Sequence, residues 1–330
     1  MPRPRIPIGS HPIERGKYTI GTPAIEQSYN SIQEWVRLRL PGAMITAPSR
    51  YGKTYAIGYW SLLLGEDFPG LLRYIFRCPH RLPHAATENS FYQWMLGAVG
   101  HEFPDKGNAL QKSKRLREYF QEQLSTSWQG RMIIFLDDAQ RLHGDHYEWL
   151  MDISNELEAV GFKVTVLLVG QPELEYQRSI FVKANKMQLV GRFMIHFTEF
   201  HGIRNQAEMA ICLRRYDSAD AAQYPPDSGY SYARYFFTEA FDEGWRLEYL
   251  SRQLWQAFEI ATESSRSTRR LEVPMQHFTS VVEHFLISYQ GANPEQHISQ
   301  GILNELTINS GIRDREALFT LAEANAPSLE

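Results

Sequence analysis

Cysteine is nearly absent from this chain: 330 residues hold Cys78 and Cys212 and no others. Two thiols supply no disulfide framework, so a reducing compartment, the cytoplasm, is the expectation. Long apolar runs are missing too. The longest, around Met132–Leu136 and Val164–Val169, have the length of buried strands and fall far short of the roughly 20 residues that cross a bilayer, so no membrane partner is expected. The opening Met-Pro-Arg-Pro-Arg-Ile-Pro-Ile is basic and proline-rich but lacks the apolar segment of a secretory leader. No charge sign dominates: 34 basic and 38 acidic residues leave −4, which neither favours nor excludes nucleic acid, because basic residues can cluster locally. There is no internal repeat and no low-complexity tract. His80, His84, His143 and His146 lack partners at zinc-site spacing, and no nucleophile–base arrangement stands out. What remains is the composition of an ordinary globular protein, 43% hydrophobic and 22% charged.

Residues 1–22 are rich in proline and glycine without periodicity and read as an extended arm. From there to residue 200 strands and helices alternate. Tyr29–Leu40 has helical spacing (Ile32, Trp35, Val36, Leu40) and stops at Pro41-Gly42. Strands are expected at Ala43–Ala47, Leu71–Cys78, Arg131–Asp137, Lys163–Gly170 and Arg192–Phe200, and helices at Lys53–Leu64, Glu88–His101, Ala109–Ser125, Asp145–Val160 and Pro172–Ala184. Such alternation implies an α/β fold, a parallel sheet with helices on both faces. After Phe200 only helical patterns remain: Ile203–Tyr216, Tyr232–Phe241, Arg246–Ala261 and Met275–Ser288. The division expected is an arm (1–22), an α/β domain (23–200), a small all-helical domain (201–290), and a tail (291–330) with one short helix and a frayed end.

Two motifs carry chemistry. Ala47–Thr54 reads A-P-S-R-Y-G-K-T, which fits the phosphate-loop pattern G-x-x-x-x-G-K-[ST] except that Ala47 replaces the first glycine. Backbone N–H groups of Ser49, Arg50, Tyr51 and Gly52, with the N-terminus of the following helix, suit phosphate oxygens. Gly52 permits a tight turn, Lys53 supplies a positive point charge, and the Thr54 hydroxyl suits Mg²⁺. Ala47 is expected to be a mild defect if the first position needs an unusual backbone angle. The second motif is Ile133–Asp138, I-I-F-L-D-D. Asp137 would hold Mg²⁺ and Asp138 would orient an attacking water. Together they imply ATP and Mg²⁺ as cofactors. Where Glu is common after the first Asp this chain has Asp138, one methylene shorter. A misplacement of ~1 Å can cost ~10²-fold in rate, so slow ATP hydrolysis is expected.

With these motifs in place the chain resembles the AAA+ ATPases, and within them the TnsC/TniB group of transposition regulators, with ExeA-type ATPases nearby. The resemblance rests on A-P-S-R-Y-G-K-T at 47–54, I-I-F-L-D-D-A-Q-R-L at 133–142 and V-T-V-L-L-V-G-Q-P-E-L at 164–174, and spans roughly residues 20–290. It implies an AAA+ core with a helical lid. It also implies a sensor role for Gln171 beside the γ-phosphate, an arginine finger at Arg192 (or else Arg178) reaching a neighbouring subunit's nucleotide, and a second sensor at Arg246. A finger of this kind is worth ~10³–10⁵ in rate.

The resemblance further implies assembly with itself, as a ring or helical filament, around double-stranded DNA. The partners implied are a transposase and a target-selection protein of the TniQ type. The best basic cluster for the DNA backbone is Lys112, Lys114, Arg115 and Arg117, with Arg73, Arg77 and Arg81 after the second strand; such contacts are sequence-independent and salt-sensitive. The competing readings are a small-molecule P-loop kinase, an ExeA-like envelope ATPase and an initiator-type DNA-loading ATPase. The helical lid argues against the first. The second usually carries a membrane span or cell-wall module. The third usually ends in a DNA-binding module longer than the tail seen here.

Overall fold

The computed structural model describes residues 3–79, 87–263 and 270–324. His80, Arg81 and His84 lie outside the described residues. Among the described residues there are five strands, β1 Gly42–Thr46, β2 Leu72–Arg77, β3 Arg131–Asp137, β4 Lys163–Gly170 and β5 His196–Glu199. The helices in chain order begin with α1 Pro12–Arg15, α2 Pro23–Arg37, α3 Lys53–Asp67, α4 Glu88–Ala98, α5 Ala109–Thr126, α6 Gly144–Ala159, α7 Glu173–Lys183 and α8 Met187–Phe193. They continue with α9 Gln206–Asp217, α10 Tyr232–Phe236, α11 Thr238–Asp242, α12 Ser251–Glu263, α13 Met275–Ser288, α14 Pro294–His297, α15 Gln300–Asn309 and α16 Ile312–Ala324. The chain divides into a sheet unit, 27–49 with 53–200, and a helical unit, 1–26 with 50–52 and 201–330.

The sheet unit is built on one five-stranded sheet in the order β2-β3-β4-β1-β5, every pairing parallel. β1, β3 and β4 are buried along almost their whole length, as interior strands covered on both faces must be. The edge strand β2 alternates instead, turning Arg73, Ile75 and Arg77 outward. Helices form where apolar residues recur at helical spacing. Leu116, Phe120 and Leu124 of α5 and Tyr147, Leu150, Ile153 and Leu157 of α6 are buried, and they meet the sheet in one core with Ile134, Leu136, Val166 and Leu168. Asn108 caps α5 by accepting from Gln111 N, while the Gln111 side chain accepts from Asn108 N. Gly42 opens β1 because only a glycine fits: a Cβ there would lie 2.7 Å from the Arg192 carbonyl oxygen.

The last strand is shorter than the alternation at Phe193, Ile195 and Phe197 suggested. Leu189, Val190 and Phe193 share a buried helical face, so the chain stays helical to Phe193 and pairs with β1 only from His196. Arg192 consequently sits on α8.

The helical unit has its own core, in which Leu254, Ala257, Phe258 and Ala261 of α12 pack with Phe278, Val281, Val282 and Phe285 of α13. Two expectations need correcting here. Residues 3–22 are not an extended arm throughout: His11 caps the turn α1, Ile13 and Ile20 join the core, and His11 is fully buried among the rings of Tyr224, Tyr232, Tyr235 and Phe236. A four-residue helix is too short to leave a periodic signal. The tail also holds more than one short helix, since α14, α15 and α16 all follow residue 291. Leu303, Leu306 and Ile312 anchor them in the core; mixed charge on the outer faces hides that sparse apolar spacing.

Candidate phosphate-binding site

Within the sheet unit the chemistry gathers at the carboxyl ends of the strands, where ligands bind in open α/β sheets. The strand order explains how. β4 lies between β1 and β3, with Thr46 level with Gly170 and Asp137 level with Val169. The turn after β4, bearing Gln171, therefore emerges between the loop that follows β1 and the carboxylates that end β3.

The loop after β1 runs directly into α3, as a phosphate loop must. Ala47 continues the sheet, its N–H donating to the Gly170 carbonyl oxygen at 3.1 Å. The left-handed angles fall later, at Arg50 (φ 71°) and Gly52 (φ 92°). The expected defect at Ala47 is thus removed: that position does not need glycine, whereas Gly52 does. Lys53 is only 7% exposed, and its Nζ donates to the carbonyl oxygens of Ala47 and Pro48, both at 2.8 Å. Burial lowers its pKa, and the nearby charges of Asp138, Asp137 and Glu173 oppose that shift.

The Thr54 hydroxyl donates to Asp137 Oδ2 at 2.7 Å. A hydroxyl and a carboxylate held side by side at the start of a helix are the hard oxygen donors that Mg²⁺ takes. The residues present fit a magnesium nucleotide. Asp137 Oδ1 also accepts from Asp138 N at 3.0 Å. Arg77, opposite Asp137 on β2, brings Nε to 3.7 Å from Oδ2, so this arginine of the expected basic cluster lies against the carboxylate.

Asp138 adopts a left-handed conformation (φ 58°) at the head of a single 3₁₀ turn, Ala139–Arg141, which Asp tolerates better than most residues. Both its carboxylate oxygens are engaged, Oδ1 by Gln140 Nε2 at 3.3 Å and Oδ2 by Arg141 Nη2 at 3.2 Å. Arg141 Nη1 in turn donates to the Cys78 carbonyl oxygen at 2.9 Å. Gln140 Oε1 accepts from Gln171 N at 3.1 Å, tying the end of β3 to the end of β4. Sequence reasoning assigned no role to Gln140 or Arg141, although the A-Q-R spacing after Asp138 was the available signal. It likewise missed Glu175, which accepts from the Thr46 hydroxyl at 3.0 Å.

The other expected residues are placed as follows. Arg192 is held inside its own chain by α6, with Nη1 2.6 Å from Asn155 Oδ1 and Nη2 3.0 Å from Glu158. Arg178 is half-buried, its guanidinium 5.7 Å from the Phe197 ring centre. On α5 the four basic residues do not share a face. Lys112 is buried and donates to Gln93 Oε1 at 3.1 Å; Arg115 donates to the Phe103 carbonyl oxygen at 2.6 Å. Arg117 pairs with Glu156 at 2.6 Å, and Lys114, the most exposed, lies 3.7 Å from Glu118. The correction for Lys112 follows from helix geometry: it lies four residues before the buried Leu116, on the face of α5 turned to the core, whereas Lys114, two residues on, points elsewhere.

In the helical unit, Arg246 precedes a 3₁₀ turn and donates through Nη1 to the carbonyl oxygens of Phe241 and Trp245, at 2.8 and 2.7 Å. Arg50–Gly52, the middle of the loop, also belongs to this unit. The Gln276 N–H donates to the Arg50 carbonyl oxygen at 3.2 Å. Tyr51 is 5% exposed; burial and the neighbouring Glu272 push its hydroxyl up to about 12.

Residues 42–177 match the family model described as an AAA domain. The five-stranded parallel sheet flanked by helices, with a helical region after it, is a fold that matches a P-loop AAA+ domain. Among solved structures, the ORC2 protein of Aeropyrum pernix in its ADPNP-ADP complexes is similar at 11% identity, with a TM-score of 0.52, over 93% of this chain and 69% of that one. The ADP form of the same protein gives 12% identity and a TM-score of 0.49, over 86% and 67%. At 11% identity the first of these likenesses shows the fold alone. No curated protein matches the sequence. Among the described residues no helix is long and apolar enough to cross a membrane.

Proposed function

We propose that this AAA+ P-loop protein is an ATP-dependent regulator of DNA transposition, one that oligomerises on duplex DNA and couples target-site selection to transposase recruitment. The observation that carries its nucleotide chemistry is the Thr54–Asp137 contact at 2.7 Å. It joins the phosphate loop after β1 to the carboxylate at the end of β3, although the two strands are not neighbours in the sheet. The transposition reading rests on the resemblance of 47–54, 133–142 and 164–174 to the TnsC/TniB group, and the AAA domain is the setting in which those motifs occur.

ATP binds through the loop amides, with the Lys53 ammonium turned from the carbonyl oxygens of Ala47 and Pro48 to the terminal phosphates. When bound, Mg²⁺ neutralises phosphate charge and orients the γ-phosphoryl group for in-line attack. Thr54 and Asp137 hold that ion's place, Asp138 accepts the proton of the attacking water, and Gln171 donates to the γ-phosphate or that water. Because Gln140 and Arg141 already occupy both oxygens of Asp138, turnover is slow and ATP acts as a switch for assembly. The subunit contact is linked to nucleotide by mass action. Arg192 serves as the finger only after exchanging Asn155 and Glu158 for a neighbour's nucleotide, and Arg246 closes on the nucleotide as second sensor. The assembly tracks the DNA backbone without reading sequence, with Lys114 the most open base of α5, and presents itself to a transposase and a TniQ-type selector.

The test is negative-stain microscopy of the protein with duplex DNA, with a slowly hydrolysed ATP analogue and without nucleotide, beside Lys53→Ala. Rings or filaments that need both nucleotide and Lys53 are the expected result. A monomer indifferent to DNA in every condition sinks the proposal and makes small-molecule phosphotransfer the better reading. Assemblies that form on DNA but fail to bind a transposase would leave a DNA-associated AAA+ ATPase outside transposition.

A further inference from the structure

A phosphate loop is normally made of small residues, yet this one carries a tyrosine at its centre, two residues before Lys53, and the ring is buried. Its surroundings come from distant parts of the helical unit. A Cβ added to Gly202 would stand 3.3 Å from Tyr51 Cε1, and Gly202 N donates to Glu272 Oε1 at 2.7 Å. Arg315, in the first turn of α16, also lies near the ring. Its guanidinium carbon is 5.5 Å from the centre of the Tyr51 ring and 4.4 Å from that of Phe319, the separation at which a cation is drawn to an aromatic face.

Arg315 is not a surface side chain that happens to fall there. Only 11% of it is exposed, its carboxylate partner is the adjacent Glu316, and its buried Nε has no hydrogen-bond partner. Such a placement costs desolvation, so the fold has to hold it. α16 is fixed at its start by Ile312, which is fully buried in the core. The turn before it is fixed by His277 of α13, whose Nδ1 meets the Ser310 carbonyl oxygen at 2.8 Å. The same α13 reaches the loop at its N-terminus: Gln276 N donates to Arg50 O, and Met275 Cβ lies 3.5 Å from where a Gly52 Cβ would be. The left-handed turn at Arg50–Gly52 is therefore gripped by α13 and, through Tyr51, by α16.

We propose that Arg315 is a positioning residue for nucleotide binding: acting through Tyr51, it holds the centre of the phosphate loop in its binding shape, so that nucleotide affinity and the docking of α16 are one linked equilibrium. The proposal rests on reading the loop as a nucleotide site. Linkage makes the coupling reciprocal: a nucleotide in the loop stabilises docked α16, and anything that draws α16 away weakens nucleotide binding.

The test is equilibrium titration with a fluorescent ATP analogue and Mg²⁺, using the full chain. Arg315→Ala is expected to weaken binding about tenfold, the scale of a buried cation–aromatic contact, with far-UV circular dichroism unchanged. Arg315→Lys keeps the cation and restores most of the affinity, which a purely steric role would not require. In a Tyr51→Leu background Arg315→Ala has no further effect. Hydrogen exchange on the wild type supplies the second measurement: nucleotide slows exchange across 312–324, and Lys53→Ala, which does not bind, shows no such slowing. Wild-type affinity in Arg315→Ala, an equal loss with and without Tyr51, or exchange indifferent to nucleotide would each overturn the proposal. A wild type that binds no nucleotide at all would instead overturn the reading of the loop on which it stands.

Discussion

The two units carry their polar groups differently. In the sheet unit, position along a strand decides what a residue can do: Asp137, Gln171 and the phosphate loop meet because parallel registers end at the same level. In the helical unit no common register exists. Arg246 and Arg315 are placed by what their guanidinium groups touch, the carbonyl oxygens of Phe241 and Trp245 for one, the ring of Tyr51 for the other. A sheet fixes function by topology, whereas a helix bundle fixes it contact by contact.

If both units are equally well packed, truncation should cost each the same. Phe120 of α5 and Phe258 of α12 are fully buried in their respective cores. Phe120→Ala and Phe258→Ala are each expected to destabilise by about 3–5 kcal/mol, read from urea denaturation midpoints. A loss below about 1 kcal/mol at Phe258 would mean that the helical core is loosely packed and would break the symmetry.

The units share one acid-sensitive device. His11 in the helical unit and His146 in the sheet unit each use Nδ1 to accept a backbone N–H, from Ile13 at 3.2 Å and from His143 at 2.9 Å, and each buries Nε2 without a partner. Burial, with repulsion from Arg3 at His11 and His143 at His146, lowers both from 6.5 to about 4. Between those values the unfolded chain binds the proton and the folded chain does not, so stability is intact above 6.5 and is lost as pH falls toward 4. Each histidine accounts for up to about 3 kcal/mol at 1.36 kcal/mol per unit. Asp217 works in the opposite sense. Burial raises it to about 6, so the folded state takes up that proton first and regains stability as pH falls from 6 toward 3.8. His146→Gln and His11→Gln should each flatten the stability–pH curve between 6.5 and 4 to a similar extent; a curve left unchanged by either variant would refute that histidine's part in the acid sensitivity.

Legibility in the sequence followed the same division. β3 and β4 were readable to the residue because interior strands are uniformly apolar, and Lys53, Thr54 and Asp137 because their motif spacing matches the turn from strand to helix. The arginines were harder to place. Nothing in the order of residues says that Arg192 would face Asn155 and Glu158, that Arg141 would bridge Asp138 and Cys78, or that a residue 264 positions after Tyr51 would lie on its ring. Long side chains settle by tertiary contact, which leaves no periodic trace. α1 and α16 were missed for a related reason: a single turn and a helix with few apolar anchors carry too little pattern.

The two aspartates sharpen the contrast within the sheet unit. Asp138→Asn removes the proposed proton acceptor and is expected to lower phosphate release about 10²-fold, near 2.7 kcal/mol, at unchanged nucleotide affinity. Asp137→Asn weakens the acceptor of the Thr54 hydroxyl and should lower affinity as well as turnover. Equal loss of affinity in both variants would show that Asp138 holds the nucleotide and is not a base.

The smallest expected effect decides between neighbours on one helix. Lys112 is buried against Gln93, and Lys114 projects into solvent. Lys112→Met keeps the apolar stem and removes a desolvated charge whose hydrogen-bond partner is neutral, so stability should stay within about 1 kcal/mol of wild type. Lys114→Met loses only an exposed pair with Glu118, about 0.3 kcal/mol. Their effects on DNA should separate more clearly than their stabilities. A phosphate contact adds about 0.9 to the slope of log K against log salt. Lys114→Met should therefore reduce that slope by about one if α5 faces the DNA backbone, while Lys112→Met leaves it alone. A slope that falls only with Lys112→Met would mean that Lys112 leaves its buried site on binding. A slope that falls with neither would take α5 out of the DNA contact altogether.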